Sequence, residues 1–235
     1  MSYRQLTVDN RSALKRFSHR RRFLKAVDLL AAADGQRVLD YGSGDGHMLA
    51  LLGQRWARCE LVGYDPMPAQ FDQLQQNVRG TPIEAVADTG RLADASFDRI
   101  ACCEVLEHLA AAEQRRVLAD LRRLVKPDGR VVVSVPLETG PAALAKNLVR
   151  RAIGQAHENA GLGNVLRALL GMHCPRDQRA AYISGHVGFR HRDLLPLFEA
   201  AGLTIVRRAW SPLPWVGPLL NAQVLYVLRP VTLTA

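Results

Sequence analysis

Three glycines and two acids lie within the stretch Val38-Leu39-Asp40-Tyr41-Gly42-Ser43-Gly44-Asp45-Gly46. An apolar run ends in an acid and passes straight into a turn in which glycine lets the backbone bend sharply and approach a ligand closely. The spacing is G-x-G-x-G, whereas a dinucleotide turn reads G-x-G-x-x-G and holds a pyrophosphate at a helix N-terminus. Asp40 and Asp45 put carboxylates where that pyrophosphate would sit, so the loop favours a cationic ligand. Gly42, Ser43, Gly44 and Gly46 complete a candidate cofactor loop. A second apolar run, Leu61-Val62-Gly63-Tyr64, ends at Asp65. A strand-end acid roughly 20 residues after the glycine turn is placed to accept the two hydroxyls of a ribose.

Further along, Cys103-Glu104-Val105-Leu106-Glu107-His108 brings two carboxylates and an imidazole together at the start of an expected helix. Histidine titrates near neutrality, which suits His108 to remove a proton from a reacting hydroxyl. Glu104, Glu107 and His108 are the leading catalytic candidates. The same E-x-x-E-H pattern offers three ligands to a metal, and the alternative is a structural Glu-His pair.

Loop, acid and strand order together resemble the class I methyltransferases that use S-adenosylmethionine, over the chain from about residue 20 onward. Later segments keep the same order: Ala87-Asp88, the run from Asp94 to Cys102, the turn Lys126-Pro127-Asp128-Gly129-Arg130 before Val131 to Val135, and Gly185-His186-Val187-Gly188-Phe189. The resemblance implies that Asp88 meets the adenine amino group and that Cys103 touches the cofactor through its backbone. Similarity to ubiquinone-biosynthesis O-methyltransferases implies that an arginine of the helix before the glycine loop reaches the carboxylate of the cofactor's methionine part. Arg22 matches best, with Arg20 and Arg21 as competitors; a guanidinium meets a carboxylate with two parallel hydrogen bonds. In those enzymes and in small-RNA 3′-end 2′-O-methyltransferases the E-x-x-E-H arrangement holds a divalent ion. The latter add a distant histidine, for which His186 is the match.

These residues need a scaffold that alternates strand and helix, an α/β fold with a mostly parallel sheet covered on both faces. Strands are expected at 36–40, 59–64, 82–87, 98–103, 130–135, 203–209 and 222–228, and helices at 17–32, 46–55, 67–77, 110–125 and 191–201. The resemblance implies a Rossmann-like seven-stranded sheet with its last strand antiparallel. Phe17, Leu24, Val27 and Leu30 or Ala31 make an apolar stripe on the first helix. Residues 137–185 are too long for a simple connection and are expected to form a helical lid over the acceptor. Within it, 142–153 and 165–170 are amphipathic and basic, which fits either closure on the domain or contact with a lipid surface.

Length and composition suit a single domain, residues 1–235, with a full core. Cys59, Cys102, Cys103 and Cys174 show no C-x-x-C pairing and are expected to be buried free thiols of a reducing cytoplasm. Met1 to Asn10 lacks the apolar core of a signal peptide, and no apolar run is long enough to span a bilayer. Charge is concentrated in the basic region 1–32: residues 1–25 hold eight basic side chains against Asp9, a balance of +7 out of +9. Such an arm can attract nucleic acid, anionic lipid or a phosphorylated substrate, or can simply be a solvated helix face. No Asn/Asp-Pro-Pro-aromatic tetrapeptide follows the fourth strand and no RNA-recognition motif is visible, so oxygen on a small or amphiphilic acceptor is preferred over a base amine. RNA 2′-O-methylation and a non-catalytic cofactor-binding partner are the rivals.

Overall fold

The structure, a computed structural model, describes residues 13–138, 183, 189–217 and 221–231. Helix α1 (Ala13–Leu30) leads to β1 (Arg37–Tyr41), α2 (His47–Arg55), β2 (Glu60–Tyr64), α3 (Pro68–Val78) and β3 (Glu84–Val86). Then follow β4 (Phe97–Cys103), α4 (Ala111–Leu124), β5 (Val125–Pro136), α5 (Leu195–Ala200), β6 (Leu203–Ser211) and β7 (Gln223–Pro230).

The strands form one sheet in the order β3-β2-β1-β4-β5-β7-β6. Only β7 runs against the rest, pairing antiparallel with both β5 and β6. This is the Rossmann-like architecture expected. Strand order reverses between β1 and β4, and in open α/β sheets ligands bind beyond the carboxyl ends of the strands at such a point.

Each sheet face buries its own apolar layer, because successive side chains of a strand point to opposite faces. Val38, Ala101, Val132, Leu225 and Val227 pack with Phe23, Ala26, Val27 and Leu30 of α1 and with Leu49 and Leu52 of α2. Leu39, Ile100, Val131, Val133 and Tyr226 pack on the other face with Leu118 and Leu121 of α4 and Phe198 of α5.

Three expectations shift. The buried stripe of α1 is Phe23, Ala26, Val27 and Leu30, while Leu24 is 37% exposed and Ala31 lies past the helix end at φ 45°. Val27 and Leu30 are buried as expected, and Arg22, Phe23 and Ala26 share that buried side. Strand β5 starts at Val125, with the turn Lys126–Gly129 carried as a bulge: Phe97 pairs with Val125, yet Arg99 pairs with Arg130. Cys59 is half-buried, its Sγ 3.1 Å from the Ala33 carbonyl, whereas Cys102 and Cys103 are buried free thiols. Cys174, His186, the basic residues before Ala13 and nearly all of the expected lid fall outside the described residues. Among the described residues no helix is long and apolar enough to cross a membrane.

Candidate active site

The glycine loop joins β1 to α2 and is tied to the tip of β2. The N–H groups of Gly42 and Ser43 both donate to the Tyr64 carbonyl, at 2.8 and 2.9 Å. Gly42, Gly44 and Gly46 all adopt left-handed φ values of 81°, 54° and 82°, a conformation that costs other residues roughly 1–2 kcal/mol. The three differ in what surrounds them. A Cβ on Gly42 would lie 2.4 Å from Val105 Cγ2, and one on Gly46 would lie 3.0 Å from Leu74 Cδ1. At Gly44 the nearest atom is Gln70 Oε1, at 3.9 Å. Gly42 and Gly46 therefore serve the protein's own packing, and Gly44 is the one of the three where a Cβ would meet nothing closer than an ordinary contact.

Asp65 closes the loop from β2: its Oδ2 accepts from Gly44 N at 2.9 Å and its Oδ1 from Met67 N at 3.0 Å. Each oxygen keeps a second lone pair for a ligand. Asp45 Oδ1 accepts from His47 N at 3.3 Å, and the Asp45 carbonyl accepts from Asn77 Nδ2 at 2.8 Å. Asp40 lies beneath, and Ser43 Oγ donates to its backbone carbonyl at 2.7 Å. Burial, then the negative charge of Asp65, and to a smaller degree that of Asp45, push the Asp40 carboxyl up to about 7. Burial also raises Asp65. Crowded, desolvated carboxylates of this kind stabilise a cation placed among them. The uncrowded Gly44 and these clustered acids fit a cofactor that carries positive charge and a diol.

Asp88 stands at the end of β3 with its carboxylate exposed, and its Oδ1 accepts from Gly90 N at 2.8 Å, capping the single turn Thr89–Arg91. Cys103 ends β4, in register with Ser134. Burial pushes its thiol up to about 12, so any contact it makes with a ligand is not that of a thiolate.

The E-x-x-E-H segment departs from the helical reading. Glu104 sits at φ 60°, Leu106–His108 form a separate 3-10 turn, and α4 begins only at Ala111. Helical juxtaposition of positions three and four apart is lost. Glu104 instead accepts from Arg22 Nη1 and from Gln223 Nε2, both at 2.8 Å. Glu107 is fully buried. His108 Nδ1 lies 2.9 Å from the Ile183 carbonyl, and Ile183 N donates to the His108 carbonyl at 2.7 Å. No group of three His, Cys, Asp or Glu that could hold a metal occurs among the described residues; Glu104 is taken up by Arg22 and Gln223, and His186 lies outside the described residues.

Of the three arginines in the run, Arg20 and Arg21 are exposed and Arg22 is buried. Gln223, Gln70, Asn77 and Val105 were not singled out from the sequence. Gly63 carried a readable signal, since glycine inside a strand marks a close approach. A Cβ there would lie 2.6 Å from Leu49 Cδ1 and 2.9 Å from Ser43 Oγ.

Comparison with known proteins agrees with this geometry. The family described as methyltransferase domain matches residues 14–208. The chain belongs to the methyltransferase-domain family. It is 33% identical over 116 residues to a ubiquinone biosynthesis O-methyltransferase of Paracidovorax citrulli (strain AAC00-1), covering 46% of this chain and 47% of that protein. The chain thus spans about half the length of that relative. It is 30% identical over 176 residues to a ubiquinone/menaquinone biosynthesis C-methyltransferase of Desulfotalea psychrophila (strain LSv54 / DSM 12343), covering 72% of this chain and 66% of that protein. The fold of this methyltransferase domain matches 1,6-didemethyltoxoflavin-N1-methyltransferase of Burkholderia thailandensis, solved with bound 1,6-didemethyltoxoflavin and S-adenosylhomocysteine, at a TM-score of 0.59 and 21% identity over 97% of this chain and 85% of that one.

Proposed function

We propose that the protein is a cytoplasmic S-adenosylmethionine-dependent methyltransferase that methylates a hydroxyl of a small or amphiphilic acceptor. The observation that carries this reading is the glycine loop: of its three glycines Gly44 alone has room for a Cβ, its N–H is held by Asp65, and Asp40, Asp45 and Asp65 gather there at the switch point of the sheet. In this reading Asp65 accepts the ribose hydroxyls, Asp88 the adenine amino group, and Arg22 the methionine carboxylate. Gly42, Ser43 and Gly46 hold the loop in shape, and Asp40 and Asp45 favour the positive charge. The cofactor supplies a methyl group on a sulfonium centre: the acceptor oxygen forms a bond to the methyl carbon while the carbon–sulfur bond breaks, its electron pair staying on sulfur.

The chain must align the acceptor and take its proton. A carbonyl can only accept, so the contact with Ile183 requires the proton on His108 Nδ1. In the neutral ring the lone pair then lies on Nε2, which is the atom that would receive the acceptor's proton. The relatives' names include both O- and C-methyltransferases; a base beside the acceptor favours a hydroxyl.

The test is transfer of labelled methyl from S-adenosylmethionine to catechol-type acceptors, with His108→Asn beside the wild type. Asparagine can still donate to the Ile183 carbonyl but cannot take the proton. We expect O-methylated product and a fall in kcat of roughly 100-fold in the variant, with S-adenosylhomocysteine affinity unchanged. A carbon-methylated product, or full activity in His108→Asn, would overturn the acceptor atom or the base respectively.

A further inference from the structure

Arg22 does not stand at the loop alone. It is 4% exposed, and its Nη1 donates to Glu104 Oε2 at 2.8 Å across 82 residues of sequence. Glu104 is itself held on three sides. Its other oxygen accepts from Gln223 Nε2 at 2.8 Å, its N–H donates to the Ser134 carbonyl at 3.1 Å, and its backbone takes a left-handed φ of 60°. A non-glycine residue at such a φ is strained and persists only where its surroundings hold it. Gln223 opens β7 and is 5% exposed, and its Oε1 has no hydrogen-bond partner among the described residues. Glu104 is therefore the group that fixes its amide. On the other side, Phe23 meets His47, the first residue of α2, edge to face at 5.1 Å. That contact places the Arg22 segment of α1 directly beside the glycine loop.

We infer that Glu104 and Gln223 are positioning residues that present Arg22 to the carboxylate end of the cofactor. The inference rests on the cofactor reading above and removes Glu104 from the group acting on the methyl acceptor. A lone arginine would reach the site with several rotamers to lose on binding. Here one edge of the guanidinium is fixed by a carboxylate whose second oxygen is fixed in turn by an amide from the far strand. Ordering has already occurred in the folded protein, so the ligand carboxylate meets a preset donor. The pair also has no net charge, so Arg22 is buried without an isolated charge in the core.

The ligand pair S-adenosylhomocysteine and 5′-methylthioadenosine separates this role from general stability, because the second lacks the amino acid end. Both are titrated calorimetrically into wild type, Gln223→Met, Arg22→Met and the double variant. We expect wild type to prefer S-adenosylhomocysteine, and Gln223→Met to lose about tenfold of that affinity while binding methylthioadenosine as before. The double variant should bind no more weakly than Arg22→Met, since the amide acts only through the arginine. Equal weakening of both ligands, an additive loss in the double variant, or no change would overturn the positioning role. Should Gln223→Met not fold, Gln223→Asn keeps the amide but withdraws it by one methylene and is read the same way. Wild type that binds neither ligand would instead overturn the cofactor reading, and wild type that binds both equally would overturn the role of Arg22.

Discussion

The two ends of this sheet crowd like charges, and they resolve the crowding in opposite ways. At the carboxyl ends of β1 and β2, Asp40, Asp45 and Asp65 gather, and the charges acting on Asp40 are both negative. Toward the other end, Arg99 and Arg130 face each other across β4 and β5, with Arg229 and Arg207 close enough to depress Arg130 further after burial has lowered it. The arginines have an answer within the protein: Arg130 Nη1 donates to the Leu29 carbonyl at 2.9 Å, and Arg99 Nε to the Ala31 carbonyl at 3.4 Å. The Leu29 carbonyl is in the last turn of α1 and that of Ala31 lies just past its end, where cations are favoured. Among the carboxylates, Asp65 receives backbone N–H groups, whereas Asp40 has only a hydrogen bond from Ser43 to set against burial and its two acidic neighbours, and its carboxyl is pushed up to about 7. Crowding that the fold answers is structure; crowding it leaves open is what carries the binding reading proposed for this loop.

The largest expected effect comes from Asp40→Asn. An unfolded aspartate titrates near 4, whereas Asp40 in the folded protein titrates at about 7. Between these values the native state holds a proton that the unfolded chain has released. The associated stability is full below the lower value, declines as pH rises toward the upper one, and is absent above it. Asp40→Asn should abolish that slope and be more stable than wild type at pH 8 by on the order of 2–4 kcal/mol, as read by urea unfolding at pH 5 and pH 8. Parallel profiles for the two proteins would break the contrast between the ends.

A smaller effect is expected at the arginines. Arg130→Met removes a bond to the end of α1 and also relieves repulsion, so the net loss should stay within about 1 kcal/mol. Arg229→Met relieves repulsion without touching the helix end and should be neutral or slightly stabilising in the same assay. A severe loss in Arg229→Met would mean that the arginine end depends on more than the capping of α1.

Much of the acidic end was legible from local sequence. An apolar run into an acid and a glycine turn is a contiguous signal, and so is the acid at the tip of β2; the mostly parallel sheet followed from alternation. On the first helix Val27 and Leu30 are buried as the apolar period predicts, but Leu24 is exposed and Phe23 and Ala26 join the buried side, because Leu24 fits the period as well as Phe23 does. Only the sheet beneath decides between them. The conformation at Glu104 was hidden for a related reason: in sequence it begins an E-x-x-E-H pattern at a helix start, but it takes a left-handed φ and its side chain meets partners 82 and 119 residues away. Gln223 gave no local sign beyond being polar at the start of an apolar strand. Tertiary pairings of that range leave no periodicity to read.

The central claim is that the loop between β1 and α2 binds S-adenosylmethionine. Its most direct test is calorimetric titration of the purified protein with S-adenosylhomocysteine, beside NAD, repeated with Asp65→Ala. The account predicts micromolar-range binding of S-adenosylhomocysteine, on the order of −8 kcal/mol, that collapses in the variant, and weaker or no binding of NAD. Absence of S-adenosylhomocysteine binding, or tighter binding of NAD, would contradict it.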